Sequence, residues 1–417
     1  MSNDAVIDNH IDVTRMKPQS IQMWKKIVLG MVLLALAAGI SGAIFFYGMY
    51  SKVLVVSRFK GPSPTPTSSP VPNTFNKGQT HTSLLMGYGG GTHQGGLLTD
   101  TMMMVIIDPS SKNVTLISLP RDLWVDLPVS SDAMSGWKIN AAYAIGSDDK
   151  SYKYKPEKFT GPAGGGELAK YAVKQATGLE VNNFVTLNFA GFRKSIDVLG
   201  GVDVNVEKTF DDYLYPIEGA EDDPCGRTPE ELQMYATMAA SITEKVFTCR
   251  YEHLHFDKGI TLMDGTTALK YVRSRHSAQD GNDFGRTARQ RNLILAVKDQ
   301  VFRLDFFPKI IPFVSSLTED LKTDFTLADM QDFLRYTDEL RGYKITSTAL
   351  SNENVLTIGR SLDGQSIVTS REGVGEWDVV HTWVRDELMR LRNPMTATGA
   401  SSATSSAEAS GSAAISN

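Results

Sequence analysis

The run IVLGMVLLALAAGISGAIFFYGMY, Ile27–Tyr50, contains no charged side chain. As a helix rising about 1.5 Å per residue, it is long enough to cross a hydrocarbon layer about 30 Å thick. A cleaved signal peptide would have a shorter apolar region, and this run continues well past its small-residue site, ALAAG. Lys25 and Lys26 precede it and Lys52, Arg58 and Lys60 follow it, so charge asymmetry gives little direction. The short segment ahead of the run favours an N-terminus in the cytoplasm. The expectation is a single-pass cell-membrane protein. It would have a cytoplasmic tail over 1–26, a transmembrane helix over 27–50 and its bulk outside the membrane.

Past the anchor, GPSPTPTSSPVPN (61–73) alternates proline with small polar residues, which makes an extended, semi-rigid spacer. It sits inside a linker expected over 51–79. The far end, 394–417, is rich in Ser, Ala, Thr and Gly and cannot bury a core. One folded unit is expected over 80–393. Within it TSLLMG (82–87), TMMMVIID (101–108), VTLISL (114–119), NNFVTLNF (182–189), GVDVNVE (201–207) and GYKITSTAL read as strands. GELAKYAVKQATG (166–178), AGFRKSIDVLG (190–200) and EWDVVHTWVRDELMRL read as helices, as does TLMDGTTALKYVR with Asp264 as its cap. Apolar strands interleaved with amphipathic helices imply an α/β fold. The expected form is a single α-β-α layered domain whose mixed central sheet is flanked by helices. The 101–119 hairpin is what makes that sheet mixed.

The chain carries a formal charge of −5, yet five arginines and two lysines crowd Lys270–Lys298 against two aspartates, Asp280 and Asp283. One local cluster in a mildly acidic chain argues against nucleic acid, which wants a wider basic face, and fits a compact anion. In DFGRTARQRNLILAVKDQ a helix starting near Phe284 puts Arg286, Gln290, Leu293 and Val297 on one inward face. Arg289 and Arg291 fall more to the side. Arg273 and Arg275 leave the end of the preceding helix. Two aspartates cannot neutralise this many cations, and guanidinium forks match phosphate oxygens.

Two further stretches point the same way. Asp100 enters an apolar strand after the glycine-rich GYGGGTHQGG (87–96), where a carboxylate could ligate Mg²⁺ beside a phosphate; no Walker motif is present. Arg121 and Asp122 follow a strand end, with Lys138 shortly after, and such ends commonly carry ligand sites. Up to five cations and an acid suit a pyrophosphate. His253 and His255 have strand-like spacing for two metal ligands but no third partner near them in sequence. The sequon at Asn113 falls in an expected turn, and no Gly-x-Ser-x-Gly supports serine hydrolysis. Cys225 and Cys249 would pair in an exported protein and stay as buried thiols in the cytosol.

The motifs LTDTMMMVIIDP, VTLISLPRDLWV, KINAAYA, VTLNFAGFRKSIDVLGGVDVNV, ALKYVRSRHS and DFGRTARQ, in this order over about residues 82–304, resemble the LytR–CpsA–Psr family of bacterial envelope proteins. The resemblance implies an extracytoplasmic, Mg²⁺-dependent phosphotransferase. Such an enzyme moves a glycopolymer from a polyprenyl-pyrophosphate carrier to a peptidoglycan hydroxyl, forming a phosphodiester. Carried over, Asp100 would bind Mg²⁺. Arg121, Arg273, Arg275 and Arg286 would grip the pyrophosphate, assisted by Lys138 and Gln290. Asp283 would orient or deprotonate the attacking hydroxyl and share in the metal, so that Asp283, Arg121 and Arg286 form the catalytic set. The family's tunnel for the polyprenyl chain would find walls in Phe184, Phe189, Phe192 and Leu199, which could equally be ordinary core. One departure stands out. The family often places an arginine two residues before the metal aspartate and a second aspartate in the loop, where this chain has Leu98 and only His93 and Gln94 as polar candidates. That departure keeps in view a non-catalytic polyprenyl-phosphate binder that scaffolds assembly or attenuates transcription. A further alternative is a lipid pyrophosphatase, with water replacing the sugar hydroxyl.

Overall fold

Strands β1 (His81–Tyr88) and β2 (Thr99–Asp108) pair antiparallel, Leu84 opposite Met104, at the middle of the domain's sheet. The structure is a computed structural model that describes residues 48, 51–55, 79–91, 95–130, 133–238, 240–281, 283–301, 317–326, 329 and 342–392. The apolar run 27–50 (Gly48 apart), the 61–73 spacer and the 394–417 tail lie outside them. Among the described residues no helix is long and apolar enough to cross a membrane. The chain divides after Ser51, and residues 52–417 form one unit.

Strand β3 (Asn113–Leu119) continues the sheet antiparallel to β2, while β6 (Asn183–Asn188) joins β1 in parallel. The outer positions go to β11 (Leu321–Thr323), antiparallel to β6, and β12 (Lys344–Ala349), parallel to β3. The order is β11-β6-β1-β2-β3-β12. The sheet is therefore mixed, as the 101–119 hairpin demanded. Among the described residues, four two-stranded ribbons stand outside it. They pair β4 (Trp124–Pro128) with β5 (Met134–Lys138), β7 (Val202–Val206) with β10 (Gly259–Met263), β8 (Phe210–Pro216) with β9 (Tyr251–Phe256), and β13 (Leu356–Arg360) with β14 (Ser366–Ser370). The 201–207 strand thus leaves the main sheet, and TLM of the expected 261–273 helix belongs to β10.

Strand alternation sorts the sheet's side chains onto two faces. Leu84, Met86, Met102, Met104 and Ile117 bury themselves under α1 (Ala141–Ser147), α2 (Gly164–Thr177) and α8 (Asp378–Arg392), together with Leu168, Val173, Val380 and Val384. Gly178, left-handed at φ 74°, ends α2 by donating its N–H to the Lys174 carbonyl. A Cβ on Gly166 would collide with the Phe184 ring, so this glycine lets α2 close onto β6. Phe184 is therefore core under α2 and no part of a tunnel wall. The opposite face meets α3 (Phe189–Val198), α6 (Gly265–Arg273) and α7 (Asp283–Val301), the last lying against β12 and β7. Asp264 caps α6, accepting the Thr267 N–H at 2.7 Å. Leu199 sits in this second core with Ile196 and Val202, again away from any tunnel.

Part of the expected 51–79 linker docks on the sheet. Leu54 bridges Thr323 in parallel, the Val55 N–H donates to the Thr323 carbonyl at 2.9 Å, and Val53 and Val55 are buried. Between β8 and β9 the chain makes an excursion containing α4 (Pro229–Tyr235) and α5 (Ala240–Val246), and a Cys225–Cys249 disulfide closes it. The open question about these cysteines is thereby answered. Replacing both with serine is expected to cost about 3 kcal/mol, the chain-entropy worth of a loop this size. The readout is a lower Tm with unchanged far-ultraviolet circular dichroism; an unmoved Tm would mean that the bond does not constrain the unfolded chain.

Candidate active site

The antiparallel pairing of β2 with β3 sets Met102 opposite Leu119, so continuing that register outward brings Asp100 beside Arg121. The Arg121 Nη1 donates to Asp100 Oδ1 at 2.8 Å. The chain then turns into β4, and the Asn140 N–H donates to the Arg121 carbonyl at 3.2 Å while Thr99 donates to the Asn140 carbonyl at 3.1 Å. Behind this pair, Asp122 faces Arg121 at 3.6 Å and Lys138 Nζ at 2.8 Å. A line of alternating charge, Lys138–Asp122–Arg121–Asp100, results. Lys138 stands in it behind Asp122, two residues back from the pocket, as a support for that carboxylate.

A polar pocket of about 270 Å³ opens at this sheet end. Asp100, Arg121, Arg273, Arg275, Arg286 and His276 line it together with Tyr215 and Asp212. All four arginines expected to grip a pyrophosphate thus converge on one space. Two aspartates oppose them, and one of these is committed elsewhere. Asp212 is wholly buried and accepts from Ser274 Oγ at 2.7 Å and from the N–H groups of Leu214, Arg275 and His276 at 3.0, 3.0 and 3.1 Å. Burial alone would push its carboxyl up; the hydrogen bonds from Ser274 and then from the three amides outweigh that and hold it below the usual carboxylate range. Its structural effect is to pin the turn that presents Arg273 and Arg275. The pocket therefore keeps a net positive lining.

Arg273 is fixed from two sides. Its guanidinium lies 4.2 Å from the centre of the Phe189 ring and donates to Tyr215 Oη at 3.3 Å. Burial raises the Tyr215 hydroxyl pKa, against the lowering effect of Arg273, so the hydroxyl stays protonated. Arg289, expected toward the side of its helix, is instead 2% exposed. It pairs with Asp280 at 2.6 Å and donates to the Ser274 carbonyl at 2.5 Å and the Asp280 carbonyl at 3.1 Å. The correction has a simple cause. Positions 286, 289, 290 and 293 share one broad helix stripe, and the 274–281 loop packs onto its first turns. Arg289 is structural and holds that loop from beneath.

A second cavity of about 220 Å³ adjoins the first and is almost wholly apolar. Leu85, Met103, Val185 and Leu187 contribute from the sheet, and Phe189, Phe192, Leu269, Val272, Leu293 and Ile294 from α3, α6 and α7. Thr101 and Arg273 line both cavities, so the apolar space runs directly into the arginine pocket. Two of the four expected tunnel walls, Phe189 and Phe192, are confirmed as cavity lining. Gln290 lines this apolar cavity and not the polar one, accepting from Ser118 Oγ at 3.4 Å. Asp283 is the first residue of α7, and its side chain lies outside the described residues, as do His93 and Gln94.

Sequence reasoning passed over Asp212, Tyr215 and His276. The signal available was the alternation at the start of FDDYLYP, which buries Phe210 and Asp212 on one side of β8 and so implies a carboxylate facing inward. Tyr215 is buried beyond a register irregularity that alternation does not foretell. It also passed over the third partner of His253 and His255. Asp211, opposite His255 across the β8–β9 ribbon, meets both imidazoles.

Fold and site together define an α/β domain whose arginine-lined anion pocket opens onto an apolar groove between sheet and helices. The LytR_cpsA_psr family model matches residues 59–372, about three quarters of the sequence, and the chain belongs to that family. Its relatives include Biofilm regulatory protein A of Streptococcus mutans, 28% identical over 281 residues, covering 66% of this chain and 55% of that protein. Polyisoprenyl-teichoic acid–peptidoglycan teichoic acid transferase TagU of Enterococcus faecalis is 25% identical over 56% of this chain and 57% of its own length. TagU of Oceanobacillus iheyensis is 26% identical over 73% of this chain and 79% of its own length. The chain thus spans little more than half of the first two relatives. Among solved structures, B. subtilis TagV is similar with a TM-score of 0.48 at 21% identity, covering 76% of this chain and 98% of that one.

Proposed function

We infer that this chain is a cell-envelope glycopolymer transferase that takes its polymer from a polyprenyl-pyrophosphate carrier and joins it to a peptidoglycan hydroxyl. The observation that carries this reading is the continuity of the two cavities through Thr101 and Arg273. An isoprenoid chain needs an apolar bed, its diphosphate needs guanidiniums, and the two must be adjacent. Relatives named as teichoic acid transferases support the same reading.

In the reaction the acceptor oxygen attacks the phosphorus that bears the sugar. The phosphorus–oxygen bond between the two phosphates breaks, polyprenyl phosphate leaves, and the acceptor proton passes to a base. Phosphoryl transfer of this kind is mostly positioning and charge neutralisation. Arg273 and Arg275, held by the Asp212-pinned turn, and Arg286 from α7 are suited to the diphosphate oxygens, with Arg121 across the pocket. Asp283, at the start of α7, is the candidate base. Asp100 offers an exposed carboxylate at the pocket, the hard donor that Mg²⁺ takes, and Mg²⁺ commonly completes its shell with water and substrate phosphates. Bound there with a share from Asp283, the metal would neutralise charge on the phosphates.

The Cys225–Cys249 disulfide supports an extracytoplasmic domain, since such bonds persist in oxidising compartments. With the uncharged 27–50 run as anchor, residues 1–26 would be cytoplasmic, 80–393 the catalytic domain, and 394–417 a polar tail.

The test uses the full chain in detergent with Mg²⁺, a polyprenyl-diphosphate-linked sugar polymer and peptidoglycan. Phosphodiester-linked product supports the transferase. Phosphate release without acceptor would replace it by a pyrophosphatase, and tight binding without turnover by a scaffold. Within the same assay Phe192→Ala is expected to raise KM for a long-chain donor about tenfold, the worth of part of a buried aromatic. A short-chain donor should be nearly unaffected. Equal effects on both donors would remove the apolar cavity from substrate binding.

A further inference from the structure

The outer face of the β8–β9 ribbon carries a cluster for which the proposed transfer has no use. Asp211 pairs with His255 across the ribbon, and His253 lies two residues along β9 on the same face. His253 Nε2 and His255 Nδ1 each lie 2.8 Å from the same atom, Asp211 Oδ1. Two imidazole nitrogens and a carboxylate therefore converge, the histidines exposed and Asp211 partly so. The ring nitrogen of His255 that points away from this centre, Nε2, meets Asp257 Oδ1 at 3.3 Å. A carboxylate behind a histidine in this way fixes the ring and strengthens it as a metal ligand. His253 is fixed differently, by the Tyr213 ring stacked on it at 4.1 Å and 3°.

We propose that Asp211, His253 and His255 form a site for a borderline-soft divalent ion of the zinc class, with solvent as the fourth ligand. Two imidazoles and one carboxylate match the donors of open zinc sites, and nitrogen ligands select against Mg²⁺ and Ca²⁺. Around a tetrahedral ion with bonds of about 2.0–2.1 Å, ligand atoms stand roughly 3.3 Å apart. Small side-chain rotations take the 2.8 Å contacts to that spacing. The ion would clamp β8 to β9. Because successive residues of β8 face opposite ways, the clamp on Asp211 lies directly behind Asp212, which pins the arginine-bearing turn of the pocket. Zinc binding would thus stiffen one wall of that pocket from outside, without touching it.

The test is a Zn²⁺ titration of the full chain in detergent, without a polyhistidine tag and stripped of metal, in competition with a chromophoric chelator. One Zn²⁺ per chain is expected, bound in the micromolar range or tighter. His253→Ala and His255→Ala should each weaken it at least about tenfold, the lower end of what loss of a ligand's support costs, while Asp100→Ala leaves it unchanged. Zn²⁺ should raise the Tm of the wild type and not of His255→Ala. The gentler His253→Asn and His255→Asn serve if an alanine variant does not fold. Co²⁺ should show tetrahedral visible bands that His255→Asn abolishes. Absence of Zn²⁺ binding, binding that survives loss of both histidines, or binding that Asp100→Ala abolishes would each overturn the site.

Discussion

Arg273→Ala is expected to lower kcat/KM for a polyprenyl-diphosphate donor by about 10²–10³, the usual loss when one preorganised donor to a developing charge is removed. Arg273 lines both the arginine pocket and the apolar groove, and so stands where the headgroup must meet the first isoprenoid unit. Its guanidinium is held from two sides, stacked on Phe189 and bonded to Tyr215. Arg273→Lys keeps the charge but not the planar fork or the stacking, so its loss should fall between those of wild type and alanine. Thermal melts separate this from damage to the fold, because the guanidinium lies at the pocket wall rather than in the core. Wild-type kcat/KM in Arg273→Ala with an unchanged Tm would remove this pocket from the reaction.

What the sequence made legible divides along physical lines. Five of the six strands of the main sheet could be read because their apolar patterning is local, the three-residue β11 being too short to show any. The Asp100–Arg121 contact follows once β2 and β3 are paired. Arg286 on the inward stripe of α7 was equally legible from helical spacing. Contacts that depend on distant segments were not. The partner of Arg289 is the loop before its own helix, and that loop is held by Asp212 from a ribbon whose strands are separated by a disulfide-closed excursion. Phe184 could not be told from Phe189 by composition; Gly166 decides it by drawing α2 onto β6. It is the family resemblance that places Lys138 and Gln290 with the pyrophosphate. Strand and helix geometry turns Lys138 onto Asp122 and Gln290 toward the apolar groove. Their effects on catalysis should accordingly be smaller than that of any of the four arginines.

The second large effect belongs to a residue with no direct role in the chemistry. Asp212→Ala should destabilise the chain by about 3 kcal/mol, because it leaves the buried Ser274 hydroxyl and the part-buried amides of Leu214, Arg275 and His276 without their acceptor. It should also cost activity beyond what stability explains, since Arg273 and Arg275 ride on that turn. A fall in kcat/KM at temperatures where the variant is fully folded is the mark of that positioning role. The same carboxylate sets a pH dependence. Its folded pKa is depressed, so the stability it contributes is fully present above the unfolded value of about 3.9 and is lost as pH falls below it toward the folded value. Urea midpoints measured from pH 6 down to pH 3 should therefore fall more steeply at the acid end in the wild type than in Asp212→Ala, where that linkage is gone. Parallel curves for the two would show that the hydrogen bonds to Asp212 contribute nothing that depends on its charge.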